Sequence, residues 1–294
     1  MKVGFVGLGI MGKPMVKNIV KNGYEVIVFD FNQSAIDEVV SAGAHAAESG
    51  AKVAEAAEVI ITMLPNSPNV EAALFNPGGI AEGLSAGKTV IDMSSIAPKA
   101  SQDFAARLKE QGVHFIDAPV SGGEPKAIDG TIAVMVGGEK AVFEKYEALL
   151  NTMASSVTRV GEVGAGNITK LANQMIVAIN IAAISEAYCL AKKAGVSPEA
   201  VYQAIRTGLA GSTVMDQKSE KIFSGNFDPG FRIELHIKDL QNALDTSHDS
   251  NVSIPFTASA MEIMQSLKAY GLEKRDHSAI ANYYETINDL KLQG

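Results

Sequence analysis

Short apolar runs alternate with helical patterns through the first half of the chain. The runs Lys2–Val6 and Glu25–Phe29 enclose a helical stretch that ends near Lys21. Further strands are expected at 59–64, 89–93, 114–117, 131–137 and 156–160, and a helix at 139–150. Alternation of strands and helices predicts a parallel sheet in an α/β domain.

The second half of the chain has a helical pattern almost throughout. Residues 167–194 contain no Pro and no internal Gly, and their apolar spacing is that of a helix buried over most of its surface. The positions that carry this spacing are Ile168, Leu171, Ala172, Met175, Ile176, Ile179, Ala183, Ala187 and Leu190. Further helices are expected at 198–206, 213–222, 235–249, 256–270 and 278–290. The pattern predicts an all-α domain.

A glycine-rich turn joins the first strand to the first helix. It has the pattern G-x-G-x-x-G and consists of Gly7, Leu8, Gly9, Ile10, Met11 and Gly12. An acid, Asp30, ends the second strand 18 residues after Gly12. This context is typical of a dinucleotide site, in which the helix N-terminus faces the pyrophosphate and the acid binds the ribose; a turn without a ligand is the alternative.

The fold class expected is an α/β Rossmann-type N-terminal domain, residues 1–162, followed by an all-α domain, 163–294, joined through the long helix. Asp30 would repel a 2′-phosphate, and no Arg follows it, since Phe31, Asn32 and Gln33 are next. NAD is therefore favoured over NADP.

Two segments after later strands are candidates for ligand contacts. Leu64 with Pro65, and Ser95, follow strands at the edge where ligands bind in such sheets, although ordinary turn chemistry explains them equally well. Ser121-Gly122-Gly123 could form an anion-binding nest suited to a small carboxylate, or a flexible loop.

Polar residues near the start of the long helix share one face. Lys170, Asn173 and Gln174 stand at i, i+3 and i+4. They are either a solvated edge of the helix or a catalytic lysine with two amides beside it. Lys238-Asp239, near the start of a later helix, could be a solvated charged pair. The histidines show no metal-ligand spacing, so no metal is expected.

Composition restricts the partners and the compartment. The net charge of −8 argues against nucleic acid as a partner. The single cysteine, Cys189, excludes an intrachain disulfide and fits a reducing cytosol. The glycines of the N-terminal run are unlike a signal peptide, and the apolar run 175–184 is too short to span a bilayer. A cytoplasmic protein is expected.

Four motifs in this order resemble the β-hydroxyacid dehydrogenases, the family of 3-hydroxyisobutyrate dehydrogenase and tartronate semialdehyde reductase. They are the glycine turn 7–12, Asp117-Ala118-Pro119-Val120-Ser121-Gly122-Gly123, the segment 166–174 around Lys170, and Lys238-Asp239, and the resemblance covers essentially the whole chain. It implies that Lys170 is the acid/base, that Ser121, Gly122, Gly123 and Asn173 bind substrate, and that Ser95 and Lys238 complete the cofactor site. Many relatives carry Thr where this chain has Ser95, and some carry Arg where it has Phe31; the second difference puts NADP use in doubt.

Within the family, the segments 61–68, 91–98, 122–130 and 209–213 most resemble the tartronate semialdehyde reductase branch. The resemblance implies reduction of that aldehyde to glycerate with NAD(P)H, in a homodimer or homotetramer. The alternatives are a sister enzyme acting on 3-hydroxyisobutyrate or succinic semialdehyde, and a dinucleotide-binding protein without catalysis. The apolar face of the long helix either pairs subunits or belongs to the core of its own domain.

Overall fold

A computed structural model describes residues 1–293. The chain divides into two compact units, one from Met1 to Lys170 and one from Leu171 onward. The long helix contributes residues to both units.

The first unit is built on one sheet. Its strands are β1 (Lys2–Val6), β2 (Glu25–Phe29), β3 (His45–Ala46), β4 (Val59–Thr62), β5 (Thr89–Asp92), β6 (His114–Asp117), β7 (Val120–Ser121), β8 (Ile132–Gly137) and β9 (Ala154–Gly161). Their order is β3-β2-β1-β4-β5-β6-β8-β7, with β9 paired to β8. Strands β1 to β6 are parallel, so their carboxyl ends lie at one edge.

The far side of the sheet departs from the expected parallel arrangement. β8 runs antiparallel to both β6 and β7, and β9 runs parallel to β8. One short helix, residues 123–129, connects β7 to β8, and the chain reverses its direction across this connection. Apolar periodicity carries no information about strand direction, so the sequence did not indicate the reversal.

Helices cover both faces of the sheet. They are α1 (Gly12–Lys21), α2 (Gln33–Val40), α3 (Gly50–Ala56), α4 (Ser67–Phe75), α5 (Ile80–Gly83), α6 (Pro98–Lys109), α7 (Gly123–Asp129) and α8 (Lys140–Leu150). Side chains alternate between two apolar clusters: Val59 and Ile61 belong to one, and Ile60 between them belongs to the other. This alternation follows from the two-residue period of a strand with both faces covered.

The second unit is helical, as its pattern predicts. It contains most of α9 (Ala165–Lys193), then α10 (Pro198–Ile205), α11 (Thr213–Ser224), α12 (Ile233–Asp249), α13 (Pro255–Ala269), a 3-10 turn (His277–Ala279) and α14 (Ile280–Ile287). Its core includes Tyr188 of α9, Leu240 of α12 and Met264 of α13.

The expectation that α9 is buried over most of its surface is wrong for this chain. Ile168, Ile176 and Leu190 are 50%, 61% and 73% exposed, whereas Ala178 and Ile181 are fully buried. The helix is apolar on nearly every side, so the spacing did not identify its buried face.

By length and apolar composition alone, α9 could also cross a membrane. Length and composition alone are weak evidence for a membrane span, because the core helix of a soluble protein passes the same test. Here one side of α9 packs into the helical core.

Candidate functional site

The glycine turn between β1 and α1 has two crowded positions and one open position. Gly7 has φ +104°, and a Cβ there would lie 2.3 Å from the carbonyl oxygen of Met63. A Cβ on Gly12 would lie 2.0 Å from the carbonyl oxygen of Gly7. Among residues 1–293, nothing lies within 4 Å of a Cβ placed on Gly9. Gly7 and Gly12 thus form the tight turn, and Gly9 leaves the main chain open to a ligand.

The start of α1 suits an anion. Within Gly12–Lys21 the first turn carries no acidic residue, and Met11 at the N-cap makes no side-chain hydrogen bond to the helix. The N–H groups of a helix N-terminus favour negative charge, so this turn fits the pyrophosphate of a dinucleotide.

Asp30 lies against the same turn. Its Oδ2 accepts a hydrogen bond from the Leu8 N–H at 2.6 Å, and its Oδ1 accepts one from the Asn32 N–H at 2.8 Å. These bonds fix the carboxylate at the end of β2, and each oxygen keeps a further lone pair for a ribose hydroxyl.

The next strand ends are joined by buried hydrogen bonds. Thr62 at the end of β4 donates to Asp92 Oδ1 at the end of β5 over 2.8 Å. Ser94 accepts from the Leu64 N–H at 2.9 Å. Burial raises the pKa of Asp92 to about 6. The segment containing Leu64 is therefore held to the turn after β5.

Asp117, at the end of β6, caps the start of α9. Its Oδ1 accepts from the Gly164 N–H at 2.7 Å, and its Oδ2 accepts from the Asn167 N–H at 2.8 Å. N–H groups at a helix start have no partner within the helix, and the Asp117 carboxylate, at the end of β6, supplies an acceptor for two of them. Burial raises the pKa of Asp117 to about 6, and the hydrogen bonds from Gly164 and Asn167 oppose that shift.

Asn167 is a structural residue that sequence reasoning missed. Its Oδ1 accepts from the Ile96 N–H, and its Nδ2 donates to Ser101 Oγ, both at 3.1 Å. The side chain is 1% exposed. Asn167 thus fixes the segment that contains Ser95 to the start of α9. The only feature of the sequence that pointed to Asn167 was its place inside the motif of residues 166–174.

Lys170 follows Asn167 by three residues and is 6% exposed. The interpretation of Lys170 as part of a solvated helix edge is therefore wrong. An ammonium group is rarely buried without a partner or a task.

Ser121, Gly122 and Gly123 join β7 to α7. Ser121 pairs with Ala133 of β8, and Gly122 and Gly123 have φ +139° and +70°. The turn is followed at once by α7, for which Gly122 is the N-cap residue. Both glycines lie in the region of φ that residues with a Cβ rarely adopt.

In the second unit, Asn173 and Lys238 belong to one polar network. Asn173 Nδ2 donates to Gln174 Oε1 at 2.8 Å, and Gln174 Nε2 donates to Asp239 Oδ2 at 2.6 Å. Lys238 Nζ lies 3.1 Å from Asp239 Oδ1. Asp239 is 1% exposed, so the Lys238–Asp239 pair is not the solvated surface pair that its sequence allowed. Gln174 and Asp239 were not among the predicted site residues.

A histidine pair supports this network. His236 Nε2 lies 3.0 Å from the Gln174 carbonyl oxygen, and the Nδ1 atoms of His236 and His277 are 2.9 Å apart. A carbonyl oxygen only accepts, so Nε2 of His236 carries the hydrogen. In the neutral ring Nδ1 of His236 then accepts, and Nδ1 of His277 donates.

The remaining polar chemistry gives no metal site. Among residues 1–293 no group of three His, Cys, Asp or Glu side chains could hold a metal ion. Cys189 is a buried free thiol, and burial raises its pKa to about 11.

Two families match successive parts of the chain. The NAD binding domain of 6-phosphogluconate dehydrogenase matches residues 2–161, and the NAD-binding domain of NADP-dependent 3-hydroxyisobutyrate dehydrogenase matches residues 164–284.

Two relatives match over essentially their whole length. The chain is 42% identical to 2-hydroxy-3-oxopropionate reductase of Escherichia coli, over 99% of this chain and 100% of the relative. It is 39% identical to 2-(hydroxymethyl)glutarate dehydrogenase of Eubacterium barkeri, over 100% and 98%. The crystal structure of 3-hydroxyisobutyrate dehydrogenase from Salmonella typhimurium has a TM-score of 0.86 at 29% identity, covering 96% of this chain and 99% of that one.

The fold, the glycine turn and these matches define an NAD(P)-dependent oxidoreductase. The chain belongs to the 3-hydroxyisobutyrate dehydrogenase-like β-hydroxyacid dehydrogenases. The resemblance drawn from the four sequence motifs is confirmed.

Proposed function

We propose that the protein reduces tartronate semialdehyde (2-hydroxy-3-oxopropanoate) to glycerate with NADH, and that Lys170 is the general acid. The observation that carries the proposal is the burial of Lys170 three residues after Asn167, whose side chain holds the segment of Ser95. The E. coli relative named 2-hydroxy-3-oxopropionate reductase supports the substrate.

The cofactor would occupy the glycine turn 7–12, with Asp30 at the ribose and with Leu64, Pro65, Ser95 and Lys238 as further contacts. When bound, the nicotinamide supplies a hydride to the aldehyde carbon. The carbonyl oxygen gains negative charge as the hydride arrives, and Lys170 stabilises that charge and donates a proton to it. The resulting amine takes a proton back from water.

The substrate's carboxylate would bind the backbone N–H groups of Ser121, Gly122 and Gly123, in the turn that contains two successive glycines with positive φ. Asn173, held by Gln174, would bind a substrate oxygen. These contacts fix the aldehyde's orientation, which lowers the entropic part of the activation barrier. In the oxidative direction Lys170 as the amine would act as the base.

The test is a substrate panel with NADH and NADPH. The aldehydes are tartronate semialdehyde and succinic semialdehyde, and the alcohols, assayed with NAD, are glycerate, 3-hydroxyisobutyrate, 2-(hydroxymethyl)glutarate and L-serine. We expect the highest kcat/KM with tartronate semialdehyde and NADH. A higher kcat/KM for another substrate assayed in the same direction would identify a sister enzyme, and absence of turnover on the whole panel with normal NADH binding would overturn the proposed reaction.

We also propose a cytoplasmic homodimer or homotetramer that pairs through α9. The side chains of Ile176 and Leu190 are exposed and apolar, and their burial against a second copy of the chain would favour pairing. The presence of one cysteine, Cys189, fits a reducing compartment.

A further inference from the structure

A buried carboxylate in the helical unit sets the direction of two side-chain amides. Gln174 Nε2 donates to Asp239 Oδ2 at 2.6 Å, and Gln174 Oε1 accepts from Asn173 Nδ2 at 2.8 Å. Asp239 is paired with the Lys238 ammonium at 3.1 Å, and an ionised carboxylate can only accept hydrogen bonds. The nitrogen of the Gln174 amide therefore faces Asp239, and its oxygen faces Asn173. The directions of both amides follow from the charge of Asp239.

The main chain of Gln174 is fixed to the same helix, α12. His236 Nε2 donates to the Gln174 carbonyl oxygen at 3.0 Å, and His236 lies three residues before Asp239, on the same face of α12. His277 Nδ1 lies 2.9 Å from His236 Nδ1 and donates to it, which keeps the hydrogen of His236 on Nε2. All four residues are buried. The amide of Gln174 thus cannot turn without breaking a buried hydrogen bond.

Asn173 stands at the end of this network and is only half-buried. A side-chain amide has one acceptor oxygen and two donor hydrogens, and the bond to Gln174 uses one of the hydrogens. Among residues 1–293 the Asn173 side chain makes no other hydrogen bond. Its Oδ1 and its second N–H are left side by side. A hydroxyl group both donates and accepts, so it matches this pair, whereas a carboxylate oxygen matches only the N–H.

We propose that Asn173 recognises the 2-hydroxyl of a 2-hydroxy-3-oxo acid, and that Asp239 and His236 are positioning residues that fix its amide for this contact. This inference rests on the proposed function, in which Asn173 binds a substrate oxygen that is not specified. Tartronate semialdehyde and glycerate carry a hydroxyl on carbon 2. Succinic semialdehyde has only hydrogens there, and 3-hydroxyisobutyrate has a methyl group. The network therefore favours tartronate semialdehyde over the substrates of the sister enzymes.

The exposure of Asn173 limits how strong this preference is. A fully buried site that hydrogen-bonds a hydroxyl rejects the analogue without it by about 10⁴–10⁵-fold, because the site's polar groups are left without partners. Water reaches a half-buried amide and replaces part of the lost bonding. One hydrogen-bonded hydroxyl at such a site corresponds to a preference of roughly tenfold.

Glycerate and 3-hydroxypropanoate are a matched pair of probes, since they differ only in the 2-hydroxyl. Calorimetry on the enzyme saturated with NADH measures the Kd of each acid, because an alcohol bound beside NADH has no hydride acceptor to react with. We expect wild type to bind glycerate roughly tenfold more tightly. Asn173→Leu should bring the ratio of the two Kd values to about one.

Asp239→Asn tests the carboxylate. An amide both donates and accepts, so Gln174 is no longer held in one direction, and the ratio should fall by at least about threefold. A loss of structure alone weakens both acids by the same factor and leaves the ratio unchanged. The matched control is Asp245→Asn, because Asp245 accepts from Gln241 Nε2 at 2.8 Å in an exposed pair on the same helix.

Two substitutions of His236 test the main-chain anchor. His236→Leu removes the donor to the Gln174 carbonyl oxygen, and the ratio should fall as it does in Asp239→Asn. His236→Gln keeps an N–H donor and should retain most of the preference for glycerate. The control is His248→Gln, because His248 is exposed on the same helix.

The outcomes separate this inference from the proposed function. Equal Kd values of wild type for the two acids, or an unchanged ratio in Asn173→Leu, overturn the recognition of the hydroxyl. An unchanged ratio in Asp239→Asn or in His236→Leu overturns the positioning role of that residue. A wild type that binds neither acid overturns both proposals. A wild type that prefers glycerate as described but turns over no tartronate semialdehyde overturns only the proposed reaction.

Discussion

The side chain of Asn167 accepts a hydrogen bond from the backbone N–H of Ile96 at 3.1 Å, across 71 residues of sequence. This bond joins the start of α9 to the segment that follows β5. It makes the position of Ser95 depend on the helix that carries Lys170.

Asn167→Ala should lower both stability and cofactor affinity. The change leaves the Ile96 N–H and the Ser101 hydroxyl without their buried partner, and one such loss costs about 1–3 kcal/mol. Urea unfolding measures the loss, and the Kd for NADH should rise because the Ser95 segment is released. Asn180→Ala is the control on the same helix, since Asn180 bonds only to the Ile176 carbonyl at a solvated site. An equal loss in both variants would contradict the role of Asn167.

Lys170→Ala should lower kcat by at least about 10²-fold, because positioned proton transfer contributes roughly 10²–10⁴-fold to rate. NADH affinity, measured by calorimetry, should change little. Lys193→Ala is the control on α9, as Lys193 is exposed and contacts only the Asp289 carbonyl at 3.4 Å. Near-normal turnover of Lys170→Ala would remove this residue from the mechanism.

Asp92 should make the protein less stable as the pH rises. Its pKa is raised by burial to about 6 from 3.8, so the folded state binds the proton more tightly than the unfolded state. Its stabilising contribution is complete below about pH 4 and is lost as the pH rises through 6. Among residues 1–293 Asp92 Oδ2 has no hydrogen-bond donor.

Asp92→Asn removes the buried charge. At pH 8 we expect its free energy of unfolding in urea to exceed that of wild type by about 1–3 kcal/mol, and at pH 4 the two values should be nearly equal. Asp117→Asn is the contrasting variant. Both Asp117 oxygens accept backbone N–H bonds, and an amide NH₂ would face one donor. That variant should be destabilised at both pH values. A stabilised Asp117→Asn would contradict its capping role.

Gln174 and Asp239 should be energetically coupled. Gln174 Nε2 donates to the buried Asp239 carboxylate at 2.6 Å, and loss of a charge-assisted bond there leaves a buried acceptor unpaired. We expect Gln174→Leu to cost about 2 kcal/mol in urea unfolding. A double-mutant cycle with Asp239→Leu should give a coupling energy of about 1–3 kcal/mol. Additive losses would mean that the bond contributes nothing to stability.

The exposed face of α9 should determine the oligomeric state. Ile176→Asp and Leu190→Asp place charges where the proposed subunit contact lies, and burying an unpaired carboxylate opposes association. Light scattering after gel filtration should show wild type as a dimer or tetramer and the double variant as a smaller species. The control is Val252→Asp, because Val252 is 55% exposed and lies in a loop outside α9. A monomeric wild type would rule out the pairing.

The candidate site was predicted from sequence only where its chemistry is local. Gly7, Gly12 and Asp30 belong to a single β-α-β unit, and their roles follow from turn geometry within about 25 residues. The hydrogen bonds of the Asn167 and Gln174 side chains were not predicted, because each joins a partner distant in the chain: Ile96 for one, Asp239 for the other. A side chain's long-range hydrogen bonds leave no periodic signal.

By itself the sequence determined the strand and helix alternation, the glycine turn with its acid, and the family, because these depend on local spacing of residue types. Only the tertiary structure decided the antiparallel direction of β8, the exposed side of α9 and the burial of Lys170. Each of these depends on which distant segment packs against the residue, and burial is a property of that packing, which an apolar or charged residue type cannot specify alone.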